Sequence, residues 1–283
     1  MKKVETLNEY KELLRQNKSK HRQVDTNCFL MSSVVGEYIT KGCLFAEEYN
    51  QGLILFIDEG SYFNLHYFWE SGTPLPNLKQ NKPVVIEELN NNGSRDAYLS
   101  QFEPFLIHAG FSLLKNNLQV AALVKESDKE LRDQYISAYD EKKKRLEAQG
   151  FRIRLCMDDA CMEQVVSLWE SALPSTDIPN AHKVLDSDTP VMCIFDSENT
   201  LCSAKWWHHS GKISEGRHVV TNPNFERRGL GSTIQLAWIV DGLNNGVERF
   251  ITWIADSNEA SHAMHKRTGF LCNGRSVKQY ILK

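Results

Sequence analysis

Residues 222–232 read Asn222-Pro223-Asn224-Phe225-Glu226-Arg227-Arg228-Gly229-Leu230-Gly231-Ser232. A short β-branched run, His218-Val219-Val220-Thr221, precedes them, and Leu230, Ile234, Leu236, Ile239 and Val240 follow at helical spacing. A strand, a glycine turn and a helix start in that order make an anion cradle. Glycine lets the backbone come close, the first N–H groups of the helix have no partner within it, and the helix dipole favours negative charge there. The segment predicts a site for a phosphorylated cofactor.

The spacing excludes two common phosphate sites. A P-loop needs a lysine between its second glycine and the Ser/Thr, whereas Ser232-Thr233 follows Gly231 directly. A dinucleotide fingerprint needs a third glycine, and none stands at the required offset.

The segment instead resembles the acetyl-CoA loop of the GNAT acetyltransferase superfamily, Gln/Arg-x-x-Gly-x-Gly/Ala after a strand. Glu226 to Gly231 fill its six positions, with Glu226 departing at the first. A second motif of the family follows at the right distance. After the strand-like Arg249 to Ile254 come Asn258, then Met264-His265 where the family has Leu-Tyr, then Gly269-Phe270. The resemblance covers residues 150–283.

Membership implies an acetyl-CoA-dependent N-acetyltransferase that moves an acetyl group to a primary amine by direct attack on the thioester. The pantetheine arm would lie along the backbone of Val219, Val220 and Thr221. Pyrophosphate would meet the amides of Arg227, Arg228, Gly229, Leu230, Gly231 and Ser232, and Asn258 belongs to the second motif. The catalytic candidates are Glu215 as general base, eight residues before Pro223, and His265 in place of the family's tyrosine acid. His218, three residues beyond Glu215, is expected on the opposite strand face. A backbone N–H near Val220 would hold the oxyanion. A longer acyl group or another nucleophile keeps the same fold. The Glu226 and His265 departures also admit a non-catalytic acyl-CoA-binding sensor or scaffold.

The elements that must position these residues form an α+β pattern of tandem GNAT-like folds, each a mixed, mostly antiparallel sheet flanked by helices. Residues 1–126 make a degenerate first copy, 127–150 a helical linker, and 151–283 the acetyl-CoA-binding domain. In the first copy, helices are expected over Thr6 to Leu14 and Asn27 to Tyr38, then strands over Gly52 to Asp58, Ser61 to Trp69 and Pro83 to Leu89. Gly110-Phe111 repeats Gly269-Phe270 at a distance of 159 residues, each pair leading into two strands, Ser112 to Leu123 and Leu271 to Leu282. After the strand at Val84 to Glu88 a polar turn, Asn90 to Arg95, stands where a cradle would be sought. Ser127-Asp128-Lys129-Glu130 reads as a capping box, and the basic run Lys142-Lys143-Lys144-Arg145 as a solvated helix face.

Composition sets outer bounds. A net charge of −3 gives no general drive toward nucleic acid or anionic membranes. No apolar run approaches the ~18 residues of a span, and the N-terminus turns polar at once. Seven cysteines without a zinc or redox spacing (Cys156 and Cys161 are four residues apart) suit reduced thiols in the cytoplasm. Adjacent strand histidines point apart, so His208-His209 gives no metal site, and none is expected. Alternation sends one of Trp206 and Trp207 inward and one outward; core packing is the favoured reading, and the alternative is an aromatic that shapes the acceptor pocket. The expected partner is a small-molecule or peptide amine, with a homodimer left open.

Overall fold

The computed structural model describes residues 1–21, 23–173 and 190–283. It divides into two compact units, Met1–Leu118 with Gly274–Lys283, and Gln119–Asn273. The cuts therefore fall before 126 and ten residues short of the C-terminus.

Unit 1 contains strands β1 (Lys2–Lys3), β2 (Val24–Thr26), β3 (Leu44–Tyr49), β4 (Gly52–Asp58), β5 (Phe63–Glu70) and β6 (Val84–Asn91). Its helices are α1 (Leu7–Lys20), α2 (Ser32–Thr40) and α3 (Asp96–His108). Thr6 caps α1 by accepting the Glu9 amide at 3.1 Å. Strands β3, β4 and β5 are antiparallel, and β6 runs parallel to β5. All of β4 before Asp58 is buried, because its two faces meet different cores. Ile54 and Phe56 join one cluster, Leu53, Leu55 and Ile57 the other. Instead of a helix over residues 27–38, residues 27–31 are non-helical and α2 begins at Ser32; strands β1, β2 and β3 were not expected.

The β5–β6 ladder covers only Phe63–Leu65 against Val84–Ile86. Beyond it the strands part, and residues 24–27 fill the gap. Strand β2 pairs with Phe68–Glu70, and the buried Asn27 side chain bridges both walls. Asn27 Nδ2 donates to Leu65 O at 3.0 Å and Glu87 O at 3.2 Å, while its Oδ1 accepts from Tyr67 N at 2.8 Å. The outer edge of β6 is covered by the end of the chain, with Arg275–Leu282 antiparallel to Val84–Asn91.

Unit 2 holds the end of β7 (Ser112–Leu123), β8 (Arg152–Leu155), β9 (Val191–Phe195), β10 (Leu201–Ser210), β11 (Ile213–Thr221) and β12 (Arg249–Ala255), with the start of β13 (Leu271–Leu282). Its helices are α4 (Lys129–Ala148), α5 (Asp159–Ala172), α6 (Leu230–Asn244) and α7 (Glu259–Arg267). Strands β8 to β11 are antiparallel and β12 runs parallel to β11. Each stretch after a Gly-Phe pair is one long strand, β7 or β13, in place of the expected pair.

The linker helix α4 belongs to this unit. Its Arg132 donates to Leu243 O at 2.7 Å and its Tyr135 hydroxyl to Thr268 O at 2.8 Å. The capping box is not formed. Asp128 precedes α4 without capping it, and its carboxylate accepts from Lys125 N. Helix α6 is buried around most of its circumference, including Ile234, Trp238 and Ile239, as its apolar sequence requires. No helix among the described residues is long and apolar enough to cross a membrane.

Unit 1 without Gly274–Lys283 would expose the outer edge of β6 and lose Tyr280, a buried residue of its main core cluster. Residues 1–126 expressed alone should aggregate, and the same segment with 274–283 appended through a flexible linker should be monomeric. Equal solubility of the two by size-exclusion chromatography would contradict that closure.

Candidate active site

Strand β11 is the spine of the site. It pairs with β12 only over Ile213–Glu215 opposite Arg249–Ile251, while its other edge stays paired to β10 as far as Thr221. From Gly216 onward the edge toward β12 has no strand partner among the described residues. Gly216 has no room for a side chain, since an added Cβ would stand 2.7 Å from Lys205 Nζ and 2.9 Å from the Trp238 ring. Backbone N–H and C=O groups on such an edge need water or an extended ligand.

The β10–β11 register shifts between Ala204 and Trp206, and opposite that shift His218 takes a φ of 47°. This is a bulge, and it re-aims the side chain. Glu215 and Arg217 share the face of Trp206, because Trp206 lies opposite Arg217 in the ladder and His208 opposite Glu215. The His218 ring lies 6.0 Å from the rings of both Trp206 and Trp169. His218 thus shares the face of Glu215, which reverses the expectation from simple alternation. Glu215 Oε1 is 2.8 Å from the Arg217 guanidinium, and its side chain is about a quarter exposed. Of the tryptophan pair, Trp206 faces this side. Trp207 is fully buried on the other, donating to Asp241 Oδ2 at 2.7 Å. His209 also binds Asp241, at 2.9 Å, so it serves packing rather than a ligand set.

Beyond β11 a single 3₁₀ turn, Pro223–Phe225, leads to the glycine loop. Arg227 has φ 59° and Gly229 has φ 86°, two left-handed positions that turn the chain into α6. Residues Glu226 to Gly229 are exposed. Among the described residues the amides of Arg227 to Ser232 donate to no backbone carbonyl; the first such bond of the helix is Thr233 N to Gly229 O at 3.0 Å. The amides needed for an anion cradle therefore have no backbone acceptor, and the loop residues that lead into them are exposed. Arg228 lies over the Phe225 ring at 5.2 Å. A Cβ added at Gly231 would stand 3.5 Å from Thr221 Oγ1 and from Met264 Sδ, so the loop lies close to α7.

Two residues near this loop qualify the sequence reading. Lys142 of α4, assigned above to a solvated face, donates to Ser232 Oγ at 3.3 Å. It lines a cavity of about 450 Å³ with Tyr135, Leu236, Met264 and Arg267. Only the packing of α4 on α6 selects it from its basic run. Asn258 serves as the N-cap of α7, its Oδ1 accepting from Ser261 N at 3.0 Å.

His265 is buried and sits edge-on to Phe270, with ring centroids 5.3 Å apart. Its Nδ1 lies 2.8 Å from the Ser261 carbonyl oxygen, which can only accept, so Nδ1 carries the proton. Burial and the nearby Lys205 charge push the imidazole down to about 4. At neutral pH the ring is uncharged and its other nitrogen, buried and without a hydrogen-bond partner, has no proton to give. This geometry argues against His265 as the acid that protonates a leaving group.

In unit 1 the topologically equivalent connection runs from β5 to its parallel neighbour β6. It is Ser71 to Pro83, without helix. A cradle would be sought there, rather than at Asn90 to Arg95, and the gap between the two strands is filled by Asn27.

These features place the chain in the acetyltransferase fold class. The model of the Acetyltransferase (GNAT) family matches residues 175–270. No curated protein sequence matches the chain. Among solved structures, a Drosophila protein aligns at TM-score 0.52 and 13% identity, covering 81% of this chain and 73% of that one. A tandem GNAT protein from the clavulanic acid biosynthesis pathway aligns at TM-score 0.52 and 10% identity, covering 82% and 78%. A GCN5-related N-acetyltransferase from Sphaerobacter thermophilus aligns at 0.50 and 8% identity, covering 82% and 80%. The fold is that of tandem GNAT proteins, and the stretch that matches the family model is residues 175–270.

Lys205 offers a test of the wall behind the cleft. It is fully buried, 4.3 Å from the Trp238 ring centroid, and desolvation lowers its ammonium to about 7 from 10.5. The folded state binds fewer protons than the unfolded between those values. The stability contributed by neutral Lys205 is therefore present above 10.5 and lost as pH falls through 7. Lys205→Met should stabilise the fold at pH 6 by about several kcal/mol, read as a raised melting temperature, and much less at pH 10. An equal gain at both would show that the amine does not titrate in the fold.

Proposed function

We propose that this chain is an acetyl-CoA-dependent N-acetyltransferase that acetylates a primary amine. The observation that carries the reading is the open edge of β11 running into a loop whose amides at Gly229 to Ser232 have no backbone acceptor. An extended pantetheine with its two amides suits the edge at Val219 to Thr221, and a pyrophosphate suits the loop. Arg227, Arg228 and Lys142 supply charge to the phosphates. The family match supports acyl-CoA chemistry in this part of the chain.

In this reading the acceptor enters on the face of Trp169, Trp206 and His218, where aromatic rings can stack on a cationic amine. Glu215, oriented by Arg217, takes a proton from the ammonium directly or through water. The freed nitrogen pair attacks the thioester carbonyl, and a backbone N–H near Val220 meets the oxygen as it gains charge. Collapse forms the amide and releases the CoA thiolate; the attacking nitrogen gives up its second proton to solvent, and the thiolate takes one from solvent because His265 offers none. A second reading, an acyl-CoA sensor, gains weight from that same unprotonated nitrogen.

Calorimetry with acetyl-CoA and with CoA separates these outcomes. Binding of one molecule per chain is expected, because Asn27 occupies the corresponding gap of unit 1. Absence of binding at about 100 μM would overturn both readings. If acetyl-CoA binds, an amine screen for thiol release separates enzyme from sensor. Glu215→Gln should then cut turnover by about 10²-fold or more, while His265→Phe changes it by less than ~10-fold.

Lys142→Ala should raise KM for acetyl-CoA about three- to tenfold, the loss of one charge-assisted contact, with kcat unchanged. A kcat effect without a KM effect would remove Lys142 from the cofactor site.

A further inference from the structure

Unit 2 contains a cluster that the acetyltransferase reading does not use. Cys156 follows β8, Cys161 lies in the first turn of α5, and Cys193 is the middle residue of β9. Their sulfurs all lie within 4.8 Å of one another, and those of Cys161 and Cys193 are 3.9 Å apart. Three cysteines from three elements converge here in the apolar core formed by Met162, Val165, Trp169 and Phe195. Local contacts fix the sulfurs in place. Cys156 N donates to Val191 O at 2.8 Å, and Cys161 N to the N-cap carboxylate of Asp158 at 2.7 Å.

We propose that Cys156, Cys161 and Cys193 form a binding site for one soft, thiophilic metal ion held by three thiolates. Sulfurs that share an ion at a bond length of ~2.3 Å stand ~3.8–4.0 Å apart in tetrahedral or trigonal geometry. The Cys161–Cys193 pair already has that spacing, and Cys156 needs to close by less than an ångström. Among the described residues no carboxylate or imidazole joins the group. An all-sulfur set selects zinc or cuprous copper over magnesium, calcium or manganese. Coordination replaces the S–H protons, which leave to solvent. The ion would join β8, β9 and α5, and α5 carries Trp169 on the acceptor side of the cleft. The site stands whether or not the chain acetylates amines.

Cadmium is the probe. Titrated into the reduced full-length chain, it should give a thiolate-to-metal charge-transfer absorption that saturates at one equivalent. Elemental analysis of protein purified without chelator then distinguishes zinc from copper as the natural ion. Cys193→Ser should abolish the band, and Cys272→Ser, which removes the exposed cysteine, should retain it. No charge-transfer band in the wild-type chain, or a band lost with Cys272 alone, would overturn the site. The wild-type titration decides the matter even if Cys193→Ser does not fold.

Discussion

Everything at the cleft follows from the point where β11 leaves β12. The parallel ladder ends at Glu215, and Gly216 marks the parting because Lys205 and Trp238 fill the space a side chain would need. Backbone polar groups cannot be left unpaired inside a sheet without cost. The open edge therefore has to meet solvent or a ligand that behaves as a strand. The bulge at His218 belongs to the same constraint. It keeps β11 joined to β10 while turning His218 onto the face of Glu215 and Trp206.

Unit 1 shows what happens when that constraint is met from within. Its parallel pair, β5 and β6, parts after three residues just as β11 and β12 do. There the gap is closed by β2 and by a single asparagine whose amide bonds to both walls. A side-chain amide offers a donor and an acceptor on one rigid plane, as a peptide-like ligand does. The connection between β5 and β6 has no helix, and Asn27 bonds to both strands beyond it.

The local features of the site were legible because they depend on a few neighbouring residues. Gly229 takes a left-handed conformation that other residues resist, and Pro223 and Leu230 mark the ends of the connection it makes. The strands at Val191–Phe195 and Gly52–Asp58 match their apolar runs residue for residue. The misses have physical reasons too. Residues 27–38 have a helical composition, yet Asn27 is drawn off to satisfy β5 and β6. His218 defeats simple alternation because a bulge adds a residue to one strand only. Lys142 reads as one of four basic residues until α6 places Ser232 beside it. His265 keeps the spacing of a catalytic residue, but burial and the Ser261 carbonyl leave it no proton to deliver.

By itself the sequence determined the turn at Gly229, the periods of most of its helices and strands, and the two-copy α+β pattern, since these are set by residue type over a few positions. Only the tertiary structure decided which segments finish each unit. Arg275–Leu282 closes the sheet of unit 1, and Gln119–Leu123 belongs to unit 2, because an exposed strand edge is covered by whichever strand packing brings to it. In the same way Cys193 meets Cys156 and Cys161 only because β8 and β9 pair and α5 folds back over them. Contacts between residues distant in the chain are chosen by the packing of the whole core, which no local pattern encodes.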